Sequence, residues 1–255
     1  LEDEDVSTAA RASFERQGMK ILTSASVTAL RKDRSGVTAT LRTVQGDATA
    51  RAERVIVAVG ITANTEGLGL EGTGVRVERG HVVTDPWLRT GEPGIYAIGD
   101  LAGPPWLAHK ASHEAVVCVE KIAGLAHVVP LDALAIPACT YSRPQVASIG
   151  MTERAASASG RKIKVGRFPL TANGKAIALG DTEGFVKTVF DASTGELLGA
   201  HMIGPEVTEL IQGYAVAKSL ETTEAELMHT VFPHPTLSEA MHEAVLGAYG
   251  QALHI

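Results

Sequence analysis

The chain has 255 residues, 45% of them hydrophobic and 20% charged, which is room for one large or two small domains with a full core. A net charge of −6, with no basic cluster longer than Arg31-Lys32-Asp33-Arg34, argues against a nucleic-acid partner. No apolar run approaches membrane-spanning length and the start Leu1-Glu2-Asp3-Glu4-Asp5 is unlike a signal peptide, so no membrane association and a cytoplasmic location are expected.

Acidic residues in the first turn and Gly18 as a stop signal predict a helix over Asp5 to Gln17. Short strands follow at Lys20–Thr23, Ser26–Arg31, Val37–Thr43, Ala48–Arg51 and Arg54–Val59. The run Val55-Ile56-Val57-Ala58-Val59 is apolar without alternation, the pattern of a buried strand in an α/β sheet. Gly67-Leu68-Gly69-Leu70-Glu71-Gly72 spells G-x-G-x-x-G, but it neither follows a strand at once nor opens a helix, so it reads as a plain glycine-rich loop. A hairpin is expected over Val75–Thr84 and a short buried strand over Ile95–Ile98. Gly99-Asp100 would then lie at a carboxyl edge, where open α/β sheets bind ligands. After Pro104-Pro105 a helix from Leu107 to about Ala123 would offer free N–H groups and positive potential at its start. His109 and His113 on that helix have metal-ligand spacing. Lys110 stands where a zinc peptidase needs Glu and no third ligand is evident, so no metal is expected.

Composition changes across Gly124–Asp132. Beyond it come strands at Ala138–Tyr141, Gln145–Ile149, Lys162–Leu170, Phe185–Asp191 and Leu197–Ile203. Helices are expected at Thr152–Gly160, Pro205–Leu220 and Glu224–His229, the last opened by a Thr223-x-x-Glu226 capping box. Together these describe an α+β sandwich of ordinary domain size. Cys118 and Cys139, inside apolar runs, read as inert buried thiols rather than a redox pair.

The chain ends on Phe232-Pro233-His234-Pro235-Thr236-Leu237-Ser238-Glu239 and an amphipathic helix from Leu237 to about Gly247. Prolines on both sides present the imidazole, and Glu239 lies where its carboxylate can hold one ring nitrogen and leave the other as a base. Thr236-x-x-Glu239 is equally a capping box, in which Glu239 only satisfies backbone donors. These residues alone leave both readings open.

That terminal stretch resembles the C-terminal signature of the flavin-dependent disulfide oxidoreductases, in particular their lipoamide dehydrogenase branch. Gly94-Ile95-Tyr96-Ala97-Ile98-Gly99-Asp100 with Leu107-Ala108-His109-Lys110-Ala111 is similar to the family's second FAD-binding segment. Tyr141-Ser142-Arg143-Pro144-Gln145-Val146-Ala147, Leu198-Gly199-Ala200-His201 and Gly204-Pro205 resemble its dimer-forming interface domain. The family's N-terminal FAD fingerprint, Cys-x4-Cys disulfide and NAD fingerprint are not found here. The family's usual Arg after Gly60 is Ile61, and the second His often found two before the catalytic one is Phe232.

The resemblance therefore implies a fold of α/β and α+β type. Residues 1–85 would be the end of a Rossmann-like NAD-binding domain, 86–124 the second FAD-binding segment and 125–255 the α+β dimerisation domain. It implies a homodimer that oxidises dihydrolipoamide on the lipoyl-bearing carrier protein of a 2-oxo acid dehydrogenase complex, with electrons passing through a redox disulfide and FAD to NAD. Asp100 would bind a ribityl hydroxyl of FAD. Trp106, Leu107, Ala108 and His109 would line the flavin, with the Ala108 amide facing the ring. Gly60 and Val27 would border the NAD site. His234, reaching into the partner subunit, would be the acid–base for the dithiol, oriented by Glu239. Both cofactor sites are incomplete in this chain, which alone is expected to be inactive. The alternatives are a non-catalytic dimerising fragment, or the same part of a mercuric or glutathione type reductase.

Overall fold

The computed structural model describes residues 2–255. They form two compact units, Arg11–Thr62, and Ala63–Ile255 together with the residues up to Ala10. Helix α1 (Glu4–Arg16) has Glu4 and Asp5 in its first turn and ends at Gly18, whose φ of +94° explains the glycine.

The smaller unit is an antiparallel meander of β1 (Ser26–Asp33), β2 (Gly36–Thr43) and β3 (Gly46–Ala52), in that order. Arg51 donates to both carboxylate oxygens of Asp33, at 3.1 and 3.2 Å, tying the edge strands across β2. The other strands expected here do not form. Lys20–Thr23 is irregular, and Val55–Val59 is extended chain outside any sheet, with Ile56 90% and Val59 92% exposed. A buried strand exists only when neighbours on both sides take its N–H and C=O groups, and no strand among the described residues does so.

In the larger unit, β4 (Val77–Glu78) and β5 (His81–Val82) make the expected hairpin around Arg79-Gly80. Ile95–Ile98 is not a strand: a single bridge joins Tyr96 to Arg89, Ala97 is buried and both isoleucines are exposed. A 3-10 turn, Gly99–Ala102, leads through Pro104-Pro105 to α2 (Ala108–Ile122), with Leu107 as its extended N-cap.

The rest is a five-stranded antiparallel sheet in the order β6-β7-β10-β9-β8. Its strands are β6 (Ala138–Thr140), β7 (Gln145–Gly150), β8 (Ile163–Pro169), β9 (Phe185–Asp191) and β10 (Leu197–Gly204). Strands β9 and β10 are buried throughout, because helices cover both faces. One face carries α5 (Val207–Ser219) and α7 (Glu239–Ala248), which meet Val186, Phe190, Ala200 and Met202. The other carries Val6 of α1 against Phe185 and Ile203, and Ala156 of α3 (Glu153–Ala158) against Val189 and Leu198. A register shift between Leu197 and Gly199 lets Leu197 face the α5–α7 side along with Ala200 and Met202. Two short helices complete the unit. α4 (Gly174–Leu179) is capped by the Asn173 side chain and stopped by Gly180, and α6 (Glu224–His229) has both halves of its capping box.

Glycine at 166 is required by packing. A methyl there would overlap the Ala244 carbonyl oxygen, so α7 can lie directly on β8 only because position 166 has none. Ala244 O accepts from Thr188 Oγ1 at 3.1 Å, and Met241 O from the buried Tyr214 hydroxyl at 2.8 Å, which fixes the helix against β9 and α5.

On the opposite face Lys187 is 3% exposed and pairs with Asp3 at 2.7 Å, Asp5 at 2.8 Å and Glu153 at 2.6 Å. Burial pulls its pKa down, but hydrogen bonds to the three carboxylates outweigh this and hold it above 10.5. Burial likewise pushes Asp3 up, and bonds from Lys187 and the Glu153 N–H bring it below 3.8. The lysine's contribution is thus complete below pH 10.5 and is lost as pH rises through its folded value, while that of Asp3 is present above pH 3.8 and is lost as pH falls. Lys187→Met, which strands Asp3 as an unpaired buried carboxylate, should lower unfolding free energy by roughly 3–5 kcal/mol at neutral pH. Urea denaturation would measure this, and the deficit should shrink below the ordinary pKa of Asp3.

Candidate active site

Helix α7 begins at Glu239, two residues later than the sequence pattern indicates, with Ser238 as an N-cap that makes no side-chain capping bond. This releases the turn before it to build a site. Thr236 Oγ1 donates to Pro233 O at 2.7 Å and lies 2.7 Å from Ser238 Oγ. The Asn173 side chain, itself the cap of α4, donates to Thr236 O at 3.1 Å. The His234–Pro235 peptide is cis.

Within this frame Glu239 does both things the sequence left open. Its Oε1 lies 2.9 Å from His234 Nδ1, and its Oε2 accepts from Thr236 N–H at 2.9 Å. Because an ionised carboxylate can only accept, Nδ1 carries a proton, and in the neutral ring Nε2 has the lone pair. Nε2 makes no hydrogen bond among the described residues, and the histidine side chain is 76% exposed against 27% for Glu239. Burial raises the Glu239 pKa, while bonds from the Thr236 N–H and from His234 outweigh it and leave the carboxyl below its ordinary 4.5. Phe232 stacks on His242 with centroids 5.1 Å apart, and His242 Nε2 is 2.9 Å from Met228 O. The phenyl ring at 232 thus anchors the turn from behind.

His234 opens onto a cavity of about 590 Å³ shared with Phe168, Asn173, Phe232, Glu239, Glu243 and His254.

The Gly99-Asp100 turn is built differently. Gly99 has φ +71°, and a methyl there would crowd Ala111 of α2 at 3.2 Å. Two buried side chains of α2 grip the loop. Glu114 Oε2 accepts from Gly99 N–H at 2.7 Å, and Lys110 Nζ donates to Gly99 O at 3.1 Å and Gly103 O at 2.8 Å. Lys110 and Glu114 pair at 3.0 Å, so each is compensated in the interior. The clamp is absent from the sequence reading. Its signal was the i, i+4 Lys–Glu spacing of Lys110 and Glu114. The Asp100 side chain is exposed and makes no hydrogen bond among the described residues. Ala108 opens α2, and no side chain caps its N-terminus, so its first N–H groups have no side-chain partner there.

The remaining expected site residues are placed as follows. Trp106 donates to His81 Nε2 at 3.2 Å and stacks on that ring. Leu107 is half-buried, and His109 Nε2 lies 2.8 Å from Pro137 O. Val27 pairs with Leu41 on exposed β1, and Gly60 follows the exposed run, with no hydrogen bond joining the two. Cys118 is buried and Cys139 half-buried; burial raises both thiol pKa values, Cys139 further because of Glu209. Among the described residues no group of three or more His, Cys, Asp or Glu is placed to hold a metal ion, and no helix is long and apolar enough to cross a membrane.

Residues 1–115 match the model described as pyridine nucleotide-disulphide oxidoreductase, and residues 136–245 match its dimerisation domain. The chain belongs to the pyridine nucleotide-disulphide oxidoreductase family.

Within that family it is similar to dihydrolipoyl dehydrogenases. It is 58% identical to that of Rhizobium etli and 55% to that of Zymomonas mobilis, over all of this chain and 53% and 55% of theirs. Among solved structures, LpdA from Mycobacterium tuberculosis superposes with a TM-score of 0.88 at 30% identity, over 96% of this chain and 53% of that one. The flavoprotein disulfide reductase RclA of Escherichia coli superposes at 0.86 with 25% identity. The chain spans about half the length of the relatives it matches.

Titration of the Glu239 carboxyl by 13C NMR should give a midpoint below 4.5, rising toward that value in His234→Gln as the ring's contribution is lost. An unmoved midpoint would show that the ring of His234 does not contribute.

Proposed function

We propose that this chain supplies the acid–base histidine, the second FAD-binding segment and the dimerisation domain of a dihydrolipoyl dehydrogenase. The observation that carries the reading is the 2.9 Å His234–Glu239 contact with Nε2 left free, on a chain alike in sequence to dihydrolipoyl dehydrogenases from end to end. We read residues 1–85 as the end of an NAD-binding domain, 86–124 as the flavin segment and 125–255 as the interface domain.

In this reading His234 Nε2 takes a thiol proton of dihydrolipoamide, and the carboxylate of Glu239 stabilises the imidazolium so formed. Oxidation of the dithiol releases two electrons and two protons. FAD, when bound, would supply the two-electron acceptor between the dithiol and NAD. The residues present fit such a group. Asp100 has an uncommitted carboxylate for a ribityl hydroxyl, glycine at 99 allows close approach, and the N–H groups at Ala108 offer positive potential to an electron-rich ring. Neither Cys118 nor Cys139 can serve as the redox disulfide, because one is buried inside α2 and the other lies in β6. That pair must come from outside this chain. So must the sheet neighbours of Val55–Val59, which we read as a strand whose partners belong to the N-terminal half. The His234 cavity and the Asp100 turn share no lining residue, in keeping with a homodimer in which each protomer's histidine serves its partner's flavin.

The test replaces the matching region of the Rhizobium etli enzyme with this chain. The chimera should reduce NAD with dihydrolipoamide, and His234→Gln should lower that rate by roughly 10²–10⁴ while sparing flavin content. Glu239→Gln should cost less, since it keeps an acceptor for Nδ1–H but removes the charge. Full activity in the histidine variant would refute the assignment, and a fully active Glu239→Gln with an impaired His234→Gln would reduce Glu239 to a backbone brace. Light scattering of the chain alone should return a dimer mass, whereas a monomer at every concentration would refute the interface reading.

A further inference from the structure

Helix α7 carries a second carboxylate one turn beyond Glu239, and it repeats the same construction. Glu243 Oε1 lies 2.7 Å from His254 Nδ1, and Oε2 accepts from the Leu253 N–H at 3.0 Å. One oxygen again holds an imidazole and the other a backbone amide beside it. The Glu243 side chain is only 5% exposed, whereas His254 is 64% exposed. A carboxylate buried this far is tolerated because both oxygens are bonded, and both bonds run to the last three residues of the chain.

The path of the tail is set by the end of α7. Gln251 N–H donates back to Leu246 O at 2.9 Å, and Gly250 has φ +70°, so the chain reverses and runs back beside the helix. That return brings Leu253 and His254 to the wall of the cavity into which His234 opens. His254 is near enough to help hold Glu239 below its ordinary pKa, third in line after the Thr236 N–H and His234.

We propose that His254 is a positioning residue: by bonding Glu243 it fastens the C-terminal tail as one wall of the His234 cavity and so bounds one side of the approach to His234. Its consequence for catalysis rests on the reading of His234 as an acid–base. The latch itself does not. Helix α7 is thereby a two-carboxylate rail, Glu239 orienting the reactive ring and Glu243 holding the wall beside it.

The experiment uses the chain as it stands, with His254→Phe, which keeps a ring and removes the donor, and His254→Gln, which can still donate to Glu243. Position 254 is itself exposed, and His254→Gln, which keeps a donor for the buried Glu243, separates loss of the latch from loss of the fold. Two readouts are followed: amide exchange at Leu253, and the rate at which diethyl pyrocarbonate modifies His234, localised by tandem mass spectrometry. In His254→Phe, Leu253 exchange should quicken by roughly tenfold or more, as expected on losing a charge-assisted bond, and His234 modification should rise several-fold. His254→Gln should stay near the parent in both. Unchanged Leu253 exchange in the Phe variant would overturn the latch. Faster exchange with unchanged His234 reactivity would overturn the wall, and a Gln variant matching Phe would overturn the hydrogen bond as the fastening. Neither readout involves flavin, nucleotide or dithiol, so the latch can fail or stand independently of the dehydrogenase reading.

Discussion

Everything in the site depends on a carboxylate having two oxygens and on both being in reach at once. Glu239 fixes the backbone of the turn through the Thr236 N–H and the tautomer of His234 through Nδ1. With one oxygen only, either the turn would be loose or the ring would be free to rotate. Such reach requires the first turn of α7 to sit at one depth and rotation on the sheet. Gly166 allows the helix to touch β8, while Thr188 and Tyr214 pin Ala244 and Met241 by their carbonyls. The chemistry at one end of the helix is therefore set by packing in its middle.

Two buried lysines divide the remaining work. Lys187 gathers three carboxylates from α1, α3 and the segment before α1, so it joins parts of the chain remote in sequence. Lys110 acts locally: with Glu114 it meets both polar backbone groups of Gly99 and leaves the neighbouring Asp100 side chain unbonded. Buried ion pairs add little net stability compared with apolar packing, but they select a geometry, since every other arrangement leaves a charge stranded. In one place the selected geometry is a docked helix α1, in the other a loop that presents an uncommitted aspartate.

The sandwich was legible in sequence because its signals are local. β9, β10 and α6 fall where the strand-like runs and the Thr223-x-x-Glu226 box put them, to within a residue. Short α4 escaped notice because six residues between Asn173 and Gly180 carry too little periodicity. Val55–Val59 and Ile95–Ile98 read as strands and are not, since a strand is a property of its neighbours as much as of its own residues. Glu239 could not be assigned from sequence because the spacing that caps Thr236 also reaches His234, and the structure uses both. The His254–Glu243 pair was invisible because the two residues meet only after the chain reverses at Gly250.

The exposed Val55–Val59 segment also bears on how the chain survives as a polypeptide. Five consecutive apolar residues with unpaired backbone are a template on which another copy can add a strand, and repeated addition leads to insoluble fibres. Arg51, Glu53 and Arg54 stand immediately ahead of the run and Gly60 immediately behind it. Stacked in register, those charges would repel their own copies, and the glycine would cost chain entropy at each added layer. The segment is thus apolar enough to enter a sheet with the right neighbours, yet flanked so that copies of itself make poor ones.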